Sequence, residues 1–234
     1  MCSSDLGRMG QIVAVINQKG GVGKTTVAIQ LAGAMTRAGL STLLVDADPQ
    51  STATRWIQAA PEESPSRIKA VSLAGARGKL HQEVRKFIDD FDIVIVDCPP
   101  NAESLAWQSV LTIADLALIP VRPDPGDLLS TMEFVETASR VAATSNPSLV
   151  MRFVASNIRN GTALAKTLRV SLEEHLPDVP LLKTQLSQRT AFPNSFTHGD
   201  SVHAMGKAGE AAASEVDSLT LEVIDALKRV GSEV

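Results

Sequence analysis

The run Lys19-Gly20-Gly21-Val22-Gly23-Lys24-Thr25-Thr26 joins an apolar stretch, Ile12-Val13-Ala14-Val15-Ile16, to a helical pattern that opens near Thr25. Glycines at this spacing let backbone N–H groups converge on phosphate oxygens, a lysine adds a point charge for β- and γ-phosphates, and a threonine hydroxyl can ligate Mg²⁺. The segment is therefore expected to be a phosphate-binding loop for a nucleoside triphosphate, with Lys24 as the phosphate lysine and Thr25 as the metal ligand. A glycine-rich strand-to-helix turn without a ligand is the plain alternative, and the strand–turn–helix context argues against it. The loop departs from the general pattern G-x-x-x-x-G-K-[ST] at its first position, where Gln18 replaces glycine and an extra lysine, Lys19, follows. A second lysine in so tight a loop needs a phosphate of its own to face.

Binding alone does not hydrolyse; that also requires a metal anchor and a group that orients water. Ile93-Val94-Ile95-Val96-Asp97 is a buried-strand run that ends in an aspartate, the Walker-B pattern for holding Mg²⁺ directly or through water. A strand-ending cap or turn aspartate is the simpler reading, and the nearby phosphate loop favours the metal. Pro99-Pro100 then stop the strand and stiffen a loop that could sense the γ-phosphate. A second carboxylate pair lies in Leu43-Leu44-Val45-Asp46-Ala47-Asp48-Pro49-Gln50. Asp46 and Asp48, at i and i+2 of an extended segment, project to one side and could both face phosphates and Mg²⁺, against the alternative of a polar turn before Pro49.

These groups need a scaffold that brings strand ends together. Continuous apolar runs at Ile12–Ile16, Thr42–Val45, Ile93–Val96, Leu116–Val121 and Arg152–Ser156 read as buried parallel strands. Helical patterns at Thr25–Ala38, Lys79–Asp90, Ser104–Ile113, Leu128–Ala143 and Ala163–His175 alternate with them, the first stopping at Gly39. The alternation predicts an α/β fold: a mostly parallel twisted sheet with helices on both faces and ligands at the C-terminal strand ends. Ala59–Pro65 reads as a loop. A last helix, Ser214–Val230, puts Val216, Leu219, Val223, Ile224, Leu227 and Val230 on one stripe, which reads as core packing. Residues 1–8 show no periodicity and are set aside as a non-native or disordered extension, leaving one domain over 9–234.

The net charge of −4 excludes a general polycation, so nucleic-acid contact would need a local patch. One lies between Met151 and Lys207, where seven basic residues against four acidic give +3 and leave −7 elsewhere; ordinary solvated helix charges would give the same counts. Two cysteines, Cys2 and Cys98, form neither a disulfide framework nor a C-x-x-C pair. No apolar run reaches the roughly 18 residues of a membrane span. The expectation is a cytoplasmic protein that uses no membrane.

Lys19–Thr26, Asp-Ala-Asp-Pro-Gln at 46–50 and Val-Asp-Cys-Pro-Pro at 96–100 together resemble the deviant Walker A, Walker A′ and Walker B motifs of the ParA/MinD family of P-loop ATPases. The Asp-Pro-Gln variant points within it to ParA partition proteins. Pro120-Val121-Arg122-Pro123-Asp124-Pro125 and Gln188-Arg189-Thr190-Ala191-Phe192 are similar to segments of the small ParA subgroup, so the likeness runs from Met9 to the C-terminus. It implies a P-loop NTPase fold and a Mg²⁺-dependent ATPase of weak intrinsic activity. It also implies roles: Lys19 reaching across a homodimer to the partner's ATP, Lys24 on the β/γ-phosphates, Thr25 on Mg²⁺, and Thr26 on the α-phosphate, with Gly20, Gly21, Val22 and Gly23 lining the phosphates. Asp48 would position the attacking water, Asp46 and Asp97 would support the metal, and Asn157 would read adenine, its amide having both donor and acceptor. A lone Asn after a strand is more usually a turn residue.

The resemblance further implies an ATP-bound homodimer that binds DNA without sequence preference, with Arg152, Arg169, Lys183 and Arg189 as candidate contacts. A ParB-like or other adaptor would stimulate hydrolysis and couple a nucleoid-bound gradient to plasmid or chromosome segregation. Since the first strand opens at Ile12, the expectation is that no operon-repressing helix-turn-helix precedes the phosphate loop. The alternative is a ParA-like ATPase that positions a protein cargo, such as a microcompartment or chemoreceptor cluster. Other relatives fit poorly: a MinD-like regulator wants a basic amphipathic C-terminal helix, whereas Ser214–Val230 carries Glu215, Asp217, Glu222 and Asp225. A nitrogenase-type iron protein and an iron–sulfur carrier need cysteines this chain lacks, and a related tyrosine kinase needs tyrosines, of which there are none.

Overall fold

The structure is a computed structural model that describes residues 10–63, 66–101 and 103–232; residues 1–9, and Ser64 and Pro65 at the end of the expected loop, lie outside the described residues. Seven strands form one sheet: β1 (Gln11–Val15), β2 (Thr42–Asp46), β3 (Lys69–Ser72), β4 (Ile93–Asp97), β5 (Leu116–Val121), β6 (Val150–Ile158) and β7 (Leu181–Ser187). Their order is β3-β2-β4-β1-β5-β6-β7, and each neighbouring pair is parallel. Parallel neighbours require crossovers, which the helices supply on both faces. α1 (Lys24–Arg37), α2 (Thr52–Gln58), α7 (Ala191–Asn194) and α8 (Glu210–Ser232) pack on one face against Val13, Val15, Leu44 and Ile95. α3 (Leu80–Arg85), α4 (Leu105–Leu111), α5 (Pro125–Ser145) and α6 (Ala163–His175) pack on the other against Ile12, Ala14, Val45 and Val96. Successive strand residues enter opposite cores, which is why the central strands read as unbroken apolar runs.

Register places the functional ends at one level. Val15 stands opposite Asp97, and Asp97 opposite Asp46, so the exits of β1, β4 and β2 lie side by side. The phosphate loop leaves the central strand at that level, in the crevice where α/β sheets hold ligands.

Several elements differ from expectation. The edge strands β3 and β7 and the short helices α2 and α7 were not expected. α3 stops at Arg85, five residues early; Phe87 and Asp90 then donate only three residues back, to Val84 and Phe87, and Phe87 meets Phe91 edge-to-face. α5 starts at Pro125 instead of Leu128, because Asp124 caps it by accepting from the Gly126 and Asp127 N–H groups and Pro125 sits where a helix tolerates proline. β6 runs past the expected Ser156 to Ile158. Every residue of the predicted C-terminal stripe is buried, and two acidic residues of α8 are bonded to β7: Glu222 accepts from the Lys183 and Thr184 N–H groups and Glu215 from that of Ser187. Those carboxylates close the exposed edge of β7.

Candidate nucleotide site

Gly21 and Gly23 have φ of 74° and 97°, the left-handed region that glycine enters without strain, and they curl the loop so that α1 begins at Lys24. No side chain caps α1, which leaves its first N–H groups facing outward with the positive end of the helix dipole. From β6, Ser156 donates its hydroxyl to the Val22 carbonyl and fixes the outer wall of the loop. Gly20 and Gly21 remain exposed.

Lys24 is buried and donates from Nζ to the Lys19 carbonyl at 2.8 Å. Burial lowers its pKa, an effect opposed by Asp97, Cys98 and Asp48 nearby. Lys19 itself donates its N–H to Asn17 Oδ1 at 3.0 Å and holds its ammonium 3.3 Å from Asp127 Oδ1. Asn17, in turn, donates to the Pro120 carbonyl and to Thr131 Oγ1, and Gln18 donates its side-chain amide to the Ser130 carbonyl. The residues that make the loop deviant are thus clipped to the end of β5 and the first turns of α5.

Thr25 Oγ1 donates to Asp97 Oδ2 at 2.7 Å. The other oxygen, Asp97 Oδ1, is buried with no hydrogen-bond partner among the described residues. Burial pushes the Asp97 carboxyl up to about 7, against the Thr25 bond, and the thiol of the buried neighbour Cys98 is raised chiefly by the same desolvation. An orphaned carboxylate oxygen beside a threonine hydroxyl suits Mg²⁺, which keeps several waters and takes one or two carboxylates plus phosphate oxygens. Among the described residues no three His, Cys, Asp or Glu side chains are grouped so as to hold a metal ion by themselves.

Asp46, expected to support the metal beside Asp97, has both carboxylate oxygens engaged within the chain. Its Oδ1 accepts from the Asp48 N–H and its Oδ2 from the Thr54 N–H and hydroxyl, so the carboxylate ties the loop after β2 to the start of α2. It holds the segment that carries Asp48. Asp48 is half-buried, accepts from the Gln50 N–H, and faces a cavity lined also by Pro99, Pro100, Asn101 and Arg77.

A second cavity runs from Gly21, Gly23 and Thr26 past Val27, Leu186 and Phe192 to Asn157 and Arg189. Val27, Leu186 and Phe192 give it an apolar side and Thr26, Ser156, Asn157, Ser187 and Arg189 a polar one, a mixture that suits a nucleoside. Asn157 lies in β6 at φ 53°, where pairing with β7 slips between Ala155 and Ile158; that irregularity turns the residue toward the cavity, and asparagine tolerates the conformation better than most.

The four DNA candidates do not share one face. Arg152 and Lys183 line a groove with Arg229 near the starts of β6 and β7, remote from the loop along the strands. Arg169, on α6, pairs with Glu173 at 3.6 Å and donates to the Leu182 carbonyl at 3.4 Å. Arg189 is the exception: Nε and Nη2 both donate to Glu215 Oε1, at 3.0 and 2.8 Å, and the side chain lines the cavity beside Asn157. Sequence reasoning missed Asn17, Ser156 and Asp127; only Asp127 had a local signal, the Asp-Pro-Gly-Asp string of a helix start.

A family profile for the CobQ/CobB/MinD/ParA nucleotide binding domain matches residues 13–202. The chain belongs to that family. Its ParA/MinD-type members are P-loop ATPases, and similar proteins include one named maintenance of carboxysome distribution protein A from Halothiobacillus neapolitanus, 31% identical over 91% of this chain and 95% of that protein. The chromosome-partitioning ATPase Soj of Thermus thermophilus is 32% identical over 70% of this chain and 76% of its own length. Among solved structures, cobyrinic acid a,c-diamide synthase from Mycobacterium smegmatis, with a bound ATP analogue and magnesium, superposes with a TM-score of 0.67 at 24% identity, covering 84% of this chain and 94% of the other. The last likeness is one of fold. No helix among the described residues is long and apolar enough to cross a membrane.

Proposed function

We propose that the chain is a ParA-type positioning ATPase in which ATP with Mg²⁺ drives homodimerisation, the dimer binds DNA without sequence preference, and an adaptor-stimulated hydrolysis step releases it. The observation that carries this reading is the convergence of Lys24, the Thr25–Asp97 pair and Asp48 at the aligned ends of β1, β4 and β2. Glycine N–H groups and the α1 N-terminus cradle the phosphates, Lys24 neutralises the β/γ oxygens, and Asp48 orients the attacking water. Thr25 and Asp97 would hold Mg²⁺, which supplies charge neutralisation on the phosphates when bound. Asn157 contacts the base, with Arg189 kept beside it by Glu215. Lys19 crosses to the partner's γ-phosphate, so the nucleotide becomes an assembly switch.

DNA contact would rest on Arg152, Lys183 and Arg229, with Arg169 at the same sheet edge; Arg189 belongs to the nucleotide pocket. For the cargo, the near full-length match to a protein named for carboxysome distribution favours a protein assembly, and the match to Soj supports segregation of plasmid or chromosomal DNA through a ParB-like partner. A DNA-binding titration with ATP, ADP and no nucleotide at two salt concentrations tests the reading. Binding that requires ATP and weakens steeply with salt supports it; binding that ignores the nucleotide contradicts it.

A further inference from the structure

Asp127 sits in the first turn of α5, and its carboxylate is only 4% exposed. Two cations share it. Arg122 donates from Nε and Nη2 to Oδ2, at 2.9 and 2.5 Å, while the Lys19 ammonium lies 3.3 Å from Oδ1. A buried carboxylate stripped of all cations would be costly, and Arg122 removes that cost when Lys19 leaves. Lys19, by contrast, is 45% exposed, so its ammonium can swing outward while Asp127 stays fixed. The three polar groups of Lys19 are all engaged within the chain: N–H on Asn17, carbonyl under Lys24 and ammonium on Asp127.

We infer that Asp127 is a positioning residue that holds Lys19 against its own subunit, and that dimer formation exchanges this ion pair for the partner's γ-phosphate. The inference rests on the proposed role of Lys19 across the dimer. A phosphate that draws the Lys24 ammonium off the Lys19 carbonyl removes one of the three holds, so the same nucleotide that the partner's Lys19 must reach loosens Lys19 in its own loop. Arg122 and Lys19 then act oppositely: both neutralise Asp127, so weakening the first tightens the grip on the second. The catch therefore sets how much ATP is needed before the dimer appears.

The test measures dimer mass by light scattering against ATP concentration, with monomer nucleotide affinity followed separately. Asp127→Asn should give the dimer at an ATP concentration at least about fivefold lower, and Arg122→Gln at a higher one, with monomer affinity unchanged in both. In a Lys19→Ala background Asp127→Asn should not restore the dimer, because its effect runs through Lys19; restoration would overturn the inference. Asp127→Asn and Arg122→Gln shifting the midpoint in the same direction would mark Asp127 as a mere prop of α5 and overturn the inference, as would no shift in either. If Asp127→Asn does not fold, the opposite-signed effect of Arg122→Gln still decides. Should Lys19→Ala dimerise normally, the trans-lysine reading itself fails; loss of the dimer in Lys19→Ala with no effect of the Asp127 and Arg122 changes sinks only the catch.

Discussion

Lys24 reaches back across the phosphate loop and donates from Nζ to the Lys19 carbonyl at 2.8 Å, so the general and the extra lysine form one bonded unit. A phosphate that captures Lys24 must break this bond, and the Lys19 peptide then loses a restraint. Lys24→Ala should lower ATP turnover on the order of 10²-fold or more, the scale of losing one preorganised donor to transition-state charge. Steady-state phosphate release measures it, and unchanged hydrolysis would remove Lys24 from the site.

Asp48 faces the cavity beside Pro99 and Asn101, while Asp46 holds its loop. Asp48→Ala should therefore keep nucleotide binding and arrest turnover, leaving a persistent ATP-bound dimer by light scattering. A monomer-only profile in ATP would count against the water-positioning role.

At Asn157 the backbone is left-handed, with φ 53°, so glycine is the cleaner truncation: alanine would add strain on the order of 1 kcal/mol to the loss of the amide. Asn157→Gly should cut the preference for ATP over GTP by about tenfold, the size of one lost buried hydrogen bond at ~1.4 kcal/mol. Competition of each nucleotide against a fluorescent analogue reads it, and an unaltered preference would assign base recognition elsewhere.

Glu222 satisfies two backbone N–H groups and a hydroxyl of β7 from a helix 38 and 39 residues further along the chain. Glu222→Ala should destabilise by about 1–3 kcal/mol, lowering Tm by several degrees with nucleotide affinity unchanged. Thermal unfolding with and without nucleotide separates this edge defect from damage to the site.

Arg152 and Lys183 share a groove that Arg189 does not enter. Lys183→Ala should weaken ATP-dependent DNA binding on all sequences and reduce the salt slope by about one. Arg189→Ala should instead alter nucleotide affinity. Equal effects of both changes on the salt slope would contradict the separation.

What the sequence made legible follows burial. The central strands β1, β2, β4 and β5 read as apolar because both of their faces are covered, and the carboxylates that end β2 and β4 were visible as interruptions. Edge strands β3 and β7 carry Lys69, Lys183 and Gln185 toward solvent and lose the apolar signature. The short helix α2 buries only Ala53 and Trp56, too little for a periodic stripe. Prolines hid the start of α5, although the Asp124 cap was present in the string Asp-Pro-Gly-Asp. Motif residues could be named but not their internal partners: Asp46 accepts from Asp48 and Thr54, and Arg189 is paired with Glu215 beside the cavity that Asn157 lines. Some of these partners lie within a few residues, as Asp48 and Thr54 do for Asp46, while others come from distant segments, as with Lys19 and Asp127, which no local pattern encodes.

The central claim is that ATP is shared between two chains through Lys19. Its most direct test is the solution mass, by light scattering with saturating ATP, of the Asp48→Ala chain with and without Lys19→Ala. A dimer in the first and a monomer of unchanged nucleotide affinity in the second is the predicted result. A dimer in both would contradict the account.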